Sequence, residues 1–411
     1  MLRHGMRWYL STMLSQNVHR MILTINTGSS SLKIALYEVC QEETRILSGE
    51  FERIGLPDGH LRLKDANGTV LIDQRTNLPD HGAALDVVLD WLRDHRPDLN
   101  VDAVGHRVVH GGIHYREPQR VTAELIAVLQ TLVPIAPDHQ PQAIQAIQTA
   151  VRAYEDLPQV ACFDTAFHRC MPRIAQIYPL PWHLGDEGVV RYGFHGLSYE
   201  YITQELRTVA PKEAAGRVII AHLGNGASMA AVHGGFSIDT TMGFTPTGGL
   251  MMGTRSGDLD PGVLLYLLAK RKMTSEALDE LVNQKSGLLG FSGTSADMRD
   301  LLERESTDGH AADAVALFCY QAKKYLCAMA AALGGLDTLV FTGGIGENAA
   351  NVRLRISENL EFLGVRLDPV RNKAHAAVIS CEGSSPIVRV MKTDEDLMIV
   401  RHTRKLIDVK S

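Results

Sequence analysis

The chain has 411 residues, enough to bury more than one core, because single cores stop growing near roughly 250–300 residues. Hydrophobic residues make up 45% and charged residues 21%, which excludes a disordered or fibrous chain. The formal net charge of -6, without a long basic run, carries no generic footprint for nucleic acid or an anionic membrane, and no apolar stretch nears the roughly 20 residues that span a bilayer. Small solutes are the expected partners. The six cysteines, Cys40, Cys162, Cys170, Cys319, Cys327 and Cys381, form no C-x-x-C pair and are expected as buried free thiols in a reducing cytoplasm.

In chain order, Met1–Arg20 contains three arginines and no acid and is expected to be a dispensable, disordered extension ahead of the first strand. Met21–Ile25 and Leu32–Val39 are rich in β-formers and joined by a Gly/Ser tip, which predicts a hairpin. Strands follow at Arg45–Ile54, Leu61–Lys64 and Thr69–Asp73, before Leu85, Val88, Leu89 and Leu92 recur at helical spacing. Val101–Val109 and Gln159–Phe163 read as buried strands, separated by helical patterns at Ala123–Leu132 and Gln142–Tyr154. This order implies a mixed sheet.

Val218–Val232 repeats the opening layout of apolar strand, Gly turn and apolar strand, with Gly224 in the place of Gly28. One supersecondary unit used twice predicts two like domains facing each other. Helical patterns then dominate at Pro261–Lys272, Ser275–Asn283, Ala296–Arg304 and Ala311–Leu333. A strand at Asp337–Thr342 runs into Gly343-Gly344-Ile345-Gly346-Glu347-Asn348, and a helix over Ala349–Leu363 is expected to aim its first N–H groups at that glycine loop. A last strand, Ile387–Met391, precedes Thr393-Asp394-Glu395-Asp396, an N-terminal helix signal.

Three glycine-rich turns, at Gly28, at His222-Leu223-Gly224-Asn225-Gly226 and at Gly343–Asn348, let backbone N–H groups approach phosphates, and Lys33 lies near the first. Neither G-x-G-x-x-G with its downstream acid nor G-x-x-x-x-G-K-[ST] is present, which disfavours nicotinamide and P-loop enzymes. Arg107 and Arg255 sit in glycine-containing loops, where a guanidinium fork suits a carboxylate or a phosphate, or a structural ion pair. Asp164 ends an apolar strand, a place for a carboxylate that meets metal or substrate, or that caps a helix. His195 in a glycine and aromatic turn either donates to phosphoryl oxygens or is simply packed. No H-E-x-x-H or other spaced histidine pair supports a transition metal, whereas Mg²⁺ with Asn26, Glu395 and phosphate oxygens fits hard-cation preferences.

Asn26-Thr27-Gly28-Ser29-Ser30-Ser31-Leu32-Lys33 resembles the opening signature of acetate kinases, and Gly224-Asn225-Gly226-Ala227-Ser228 resembles their second phosphate loop. Gly105–Gly112, Phe163–His168, Arg191–Gly196, Gly243–Pro261, Ser286–Leu301 and Phe341–Asn348 are similar to further family motifs, so the resemblance runs from Met21 to about Arg404. It implies an α/β fold of two related ribonuclease H-like domains around a nucleotide cleft. The expected division is an N-terminal domain over 21–164, on which a C-terminal helix (397–411) packs, and a nucleotide-binding domain over 165–396. By motif position, Asn26 and Glu395 would hold Mg²⁺, with Mn²⁺ as a substitute. Lys33, His222, Leu223, Gly224, Asn225, Gly226, Asp297, Met298, Arg299, Gly344, Ile345, Gly346, Glu347 and Asn348 would hold ATP or ADP. Arg107, Val109, His139, Phe194 and Pro246 would take acetate or another short carboxylate. His195 and Arg255 would stabilise the transferring phosphoryl group, with Asp164 as the catalytic carboxylate. The resemblance also implies a homodimer.

A carboxylate substrate is already a nucleophile at neutral pH, so in-line positioning and charge neutralisation carry the chemistry, and Asp164 is expected to orient more than to remove a proton. Asp138-His139-Gln140-Pro141 departs from the family's Leu-His-Asn-Pro and leaves the choice of acid open. Thr393-Asp394-Glu395-Asp396 and Asp297-Met298-Arg299 depart from Thr-Asn-Glu-Glu and Asp-Phe-Arg while keeping their charges. The rival readings are a propionate or butyrate kinase on the same scaffold and, from another class, a nucleotide switch of the actin and Hsc70 type. The paired arginines and His195 argue against the switch.

Overall fold

The structure, a computed structural model, describes residues 19–408. Most of the expected N-terminal extension and the last residues of the C-terminal helix lie outside the described residues. Arg20, assigned from sequence to the extension, instead opens the first strand and pairs with Asp408 at 3.1 Å.

The first sheet holds β1 (Arg20–Thr27), β2 (Ser31–Val39), β3 (Glu43–Glu52), β4 (Gly59–Asp65), β5 (Val70–Thr76), β6 (Ala103–Val108), β7 (Gln119–Arg120) and β8 (Gln159–Phe163). Their order is β5-β4-β3-β2-β1-β6-β8-β7. The second sheet holds β9 (Arg217–Leu223), β10 (Ala227–His233), β11 (Phe236–Thr240), β12 (Thr338–Thr342) and β13 (Ile387–Val390), in the order β11-β10-β9-β12-β13. A shared core of three antiparallel strands running into two parallel ones, β3-β2-β1-β6-β8 and β11-β10-β9-β12-β13, recurs in each half, and β4, β5 and β7 extend the first sheet at its edges. The internal repeat read from Gly28 and Gly224 is therefore a repeat of topology. β8 and β12 are buried at every residue, as expected of parallel strands covered on both faces.

Two helices fix the geometry of the cleft. Glu395–Asp408 begins behind Asp394, whose Oδ1 accepts from the N–H of Leu397 at 2.9 Å, and buries Met398, Ile399, Val400 and Thr403. It packs across β1, β6 and β8 of the first sheet, although it follows the last strand of the second. Gly105 on β6 permits this approach, because a Cβ there would stand 2.4 Å from both Ile399 Cγ2 and Thr403 Oγ1. Gly309–Leu333 backs the second sheet and is capped by Asp308, which accepts from His310 and Ala311.

The expected helix over Ala349–Leu363 is broken. The glycine segment is itself helical over Gly343–Asn348, a second helix spans Ala350–Ser357, and a single 3₁₀ turn at Glu361–Leu363 follows Asn359 at φ 61°. The helix stops where Glu358 turns extended (ψ 136°) ahead of Asn359, while fully buried Arg353 ties it back to the preceding glycine helix, its guanidinium donating to the carbonyls of Gly346 (2.8 Å), Glu347 (2.9 Å) and Asn372 (2.8 Å). Of the six cysteines, all unpaired, only Cys162 and Cys319 are buried, and Cys170 is exposed, so the expectation of uniformly buried thiols is corrected.

Candidate active site

Arg107, near the C-terminal end of β6, is the hub of the site. Its Nε donates to both oxygens of Asp164 at 3.1 Å, one terminal nitrogen donates to Asp164 Oδ2 at 2.6 Å, and the other donates to Asn26 Oδ1 at 3.0 Å. The Asn26 amide in turn donates to Glu395 Oε2 at 3.2 Å, and Glu395 lies 3.9 Å from the Arg107 guanidinium. Strand ends β1, β6 and β8 thus meet the N-terminus of the Glu395–Asp408 helix at one point. Burial opposes the Arg107 charge, but Asp164 and Glu395 outweigh it and hold the guanidinium protonated. Burial likewise pushes Glu395 up, yet Arg107, His222 and the Asn26 amide leave its carboxylate below the usual range. Burial raises Asp164 against the pull of Arg107. With its oxygens committed to that fork, Asp164 orients Arg107.

Facing this cluster, the end of the second sheet presents His195 and His222, with ring centroids 4.4 Å apart. His195 sits at φ 59° as the residue before the Gly196–Val209 helix, an element not among those expected from sequence. The chain can turn there because Gly196 lies against the Asp164 carbonyl, which a Cβ would approach to 2.1 Å. His195 Nδ1 bonds Ser228 Oγ at 2.8 Å, and Ser228 also bonds the buried Tyr199 hydroxyl. When Tyr199 donates to Ser228 and Ser228 to Nδ1, Nε2 carries the proton, and Nε2 is the ring atom nearest the Gly226 turn. Burial, with His222, Arg107 and Arg255 nearby, holds His195 well below the usual range, so it is neutral in this site.

Arg255 donates to the Pro246 carbonyl at 2.9 Å and has no carboxylate partner among the described residues. Burial pushes its guanidinium down to about 10, with Asp138 opposing and Arg107 assisting. Arg255, Pro246, His139 and Asp138 line one cavity of about 100 Å³, together with Thr245, Thr247, Asp279 and Asn283. The wall joins the chain before the Gln140–Ala153 helix to the Ser275–Gln284 helix. Burial, then Arg255 and Arg107, pushes His139 down to about 3, so it is neutral as well. Val109 and Phe194 do not line this cavity; they are buried in the same core cluster as Met252.

The residues expected to hold nucleotide divide into groups. The Gly224 and Gly344 turns approach each other, with Gly344 N 3.9 Å from the Cβ position of Gly224. Leu223 and Met298 bury their side chains in the core, leaving only backbone to offer. Asp297 and Arg299 pair with each other at 2.6 Å at the surface. Lys33 is exposed and pairs with Glu50 at 3.4 Å, although its charge reaches Glu395. Glu347 Oε1 is taken by the N–H groups of Gly343 (3.0 Å) and Thr393 (3.2 Å), and the Asn348 amide donates to the Gly344 carbonyl at 2.9 Å. The expectation that a following helix aims free N–H groups at this loop is therefore corrected: the loop is the helix, and its first N–H is occupied. Ile345 is partly buried against the core, and Gly346 is buried.

Sequence reasoning passed over Ser228 as a partner of His195, although it stands within a quoted motif. It also missed Asp279 and Asn283, which lie on a helix whose polar face gives no hint of a cavity.

Two arginines, Arg107 on β6 anchored by buried Asp164 and Arg255 in a loop beyond β11 with no carboxylate partner among the described residues, mark a phosphotransferase cleft. The profile of the Acetokinase family matches residues 21–401. The acetate kinase of Methylocella silvestris is 46% identical over 400 residues, covering 95% of this chain and 98% of that protein. The crystal structure of Porphyromonas gingivalis acetate kinase superposes with a TM-score of 0.85 at 38% identity, covering 95% of this chain and all of that one. A propionate kinase structure from Francisella tularensis gives 0.88 at 34% identity, with 94% and 99% covered. The chain belongs to the acetokinase family. Its fold is the two-domain α/β architecture with duplicated ribonuclease H-like sheets.

Proposed function

We propose that the chain transfers the γ-phosphoryl group of ATP reversibly to acetate. A carboxylate oxygen forms a bond to the γ-phosphorus, the bond from that phosphorus to the β-γ bridging oxygen breaks, and acetyl phosphate and ADP leave. The observation that carries this reading is the pairing of Arg107 and Arg255 across the cleft. Such a pair offsets the repulsion between an anionic acid and an anionic phosphate without general-base help.

In this reading Arg107, held by Asp164, fixes the acid's carboxylate, and Arg255 uses its unpaired donors on the equatorial oxygens as charge moves to the bridging oxygen. His195 donates from Nε2 as a neutral imidazole. Asp164 acts as a positioning carboxylate. The Gly224–Gly226 and Gly344–Asn348 turns seat ATP mainly through backbone. Asn26 and Glu395 supply an amide oxygen and a carboxylate held ionised, without a thiolate ligand, which fits a hard divalent cation such as Mg²⁺. When bound, that ion would neutralise phosphate charge. The halves 21–164, with the C-terminal helix, and 165–396 act as two lobes that close on the substrates. Exposed Leu265 and Tyr266 on the Pro261–Ala269 helix suit a homodimer, which light scattering tests. A cytoplasmic location fits; among the described residues no helix is long and apolar enough to cross a membrane.

The test is direct. Protein, ATP and Mg²⁺ are incubated separately with acetate, propionate and butyrate, and acyl phosphate is trapped with hydroxylamine. Formation with acetate is expected. ATP turnover without any acyl phosphate would leave the nucleotide switch as the better reading.

A further inference from the structure

Resting on that reading of the cleft, we propose that Asp138 selects the tail of the acid, favouring a short carboxylic acid with a hydrogen-bond donor on the carbon furthest from its carboxyl. The donor is a hydroxyl or an ammonium group.

The cavity beside Arg255 is where such a tail would lie. At about 100 Å³ it has room for a few heavy atoms, since one water occupies roughly 30 Å³ of liquid. Its wall is mixed: Pro134, Ile135, Ala136, Pro137 and Pro246 supply apolar surface, and Asp138 stands beside them as a carboxylate. Thr247 donates its hydroxyl to Asn283 Oδ1, and the Asn283 amide donates to Asp279 Oδ1 at 2.9 Å, so these three satisfy one another. Arg255 is turned to the Pro246 carbonyl. The neutral His139 ring and Asp138 have no side-chain hydrogen-bond or ion-pair partner among the described residues, and half-buried Asp138 is the one carboxylate of the wall left without one.

A methyl group placed against Asp138 would strip water from a carboxylate and return no hydrogen bond to it. A hydroxyl or ammonium would return a charge-assisted hydrogen bond. Arg107 and Asp138 then read the two ends of one acid, the guanidinium holding its carboxylate and Asp138 requiring a donor at its tail, while Arg255 stays with the phosphoryl oxygens. A site that hydrogen-bonds a polar group discriminates more steeply than an apolar pocket that counts methylenes.

The experiment compares acids of equal length with the full chain, ATP and Mg²⁺. Steady-state ADP release is measured with propionate, 3-hydroxypropionate and β-alanine, and with acetate against glycolate. In the wild type, kcat/KM for at least one donor-bearing acid is expected to exceed that for its unsubstituted partner by about ten- to a hundredfold. Asp138→Leu should reverse that order while leaving KM for ATP within twofold, which a general structural defect would not do. Asp138→Asn separates the two donors: an amide oxygen keeps a hydroxyl partner, whereas loss of charge removes the ammonium preference. A wild type that prefers propionate to both donors, or ratios unchanged in Asp138→Leu, overturns the inference while leaving phosphotransfer intact. If no acid, acetate included, increases ADP release, the phosphotransfer reading fails and this one with it.

Discussion

At the scale of single residues, the two arginines differ in what their loss should do. Arg255 is held only by the Pro246 carbonyl and the Met252 sulfur, so in the proposed transfer its remaining donors act on the reacting oxygens. Arg255→Ala is expected to lower kcat by about 10²- to 10³-fold with KM for ATP little changed, and a variant altered only in KM would refute its role. Arg107 carries the fold as well as the chemistry. Removing it would strand two buried carboxylates, so Arg107→Leu should destabilise the protein by about 3–5 kcal/mol, measured by urea denaturation. Asp164→Asn together with Arg107→Leu should recover part of that loss, because one of the stranded charges is then gone. A double variant no more stable than Arg107→Leu would show that the pair is not coupled.

At the scale of elements, the helix that starts at Glu395 would tie the proposed metal site to packing on β6. Gly105→Ala would drive a Cβ into Ile399 and Thr403, and the helix must shift. The expected result is a loss of about 1–3 kcal/mol in stability and a raised half-saturating Mg²⁺ concentration for activity. An Mg²⁺ requirement equal to wild type would separate the helix from the metal. Elements defined by local pattern were legible: Gln159–Phe163 is apolar throughout, and the hairpin of β1 and β2 announces itself by alternation and a Gly/Ser tip. The end of the helix at Ser357 was not legible, because Val352, Ile356 and Leu360 continue the helical period past the point where Glu358 turns extended and Asn359 takes φ 61°. The site was legible in pieces. Asn26 and Glu395 are 369 residues apart, so no spacing rule joins them, and only the likeness of whole motifs to a family placed both beside a metal. Asp279 entered the cavity through tertiary packing alone.

At the scale of the whole molecule, buried neutral histidines make stability depend on pH. Burial pushes His106, His110 and His168 down to about 4, each below the ordinary value of 6.5. Between pH 6.5 and about 4 the unfolded chain binds protons that the native state refuses, so stability falls as pH falls. The slope is up to about 1.4 kcal/mol per pH unit for each group. Urea midpoints should therefore drop between pH 7 and pH 5, and flat midpoints would show that these rings charge within the fold.

The C-terminal helix has a consequence during synthesis. Ribosomes deliver the chain from its N-terminus at roughly 5–20 residues per second, so both sheets are complete before Glu395 leaves the exit tunnel. Until then Asn26 lacks its carboxylate, and the face made by Ile22, Ala35, Ala103 and Val160 lies open where Ile399 and Val400 will cover it. A nascent chain stalled at β13 would therefore be inactive and sticky, a client for chaperones. Its last turns of helix complete the folding of the first sheet and the catalytic cleft in one event.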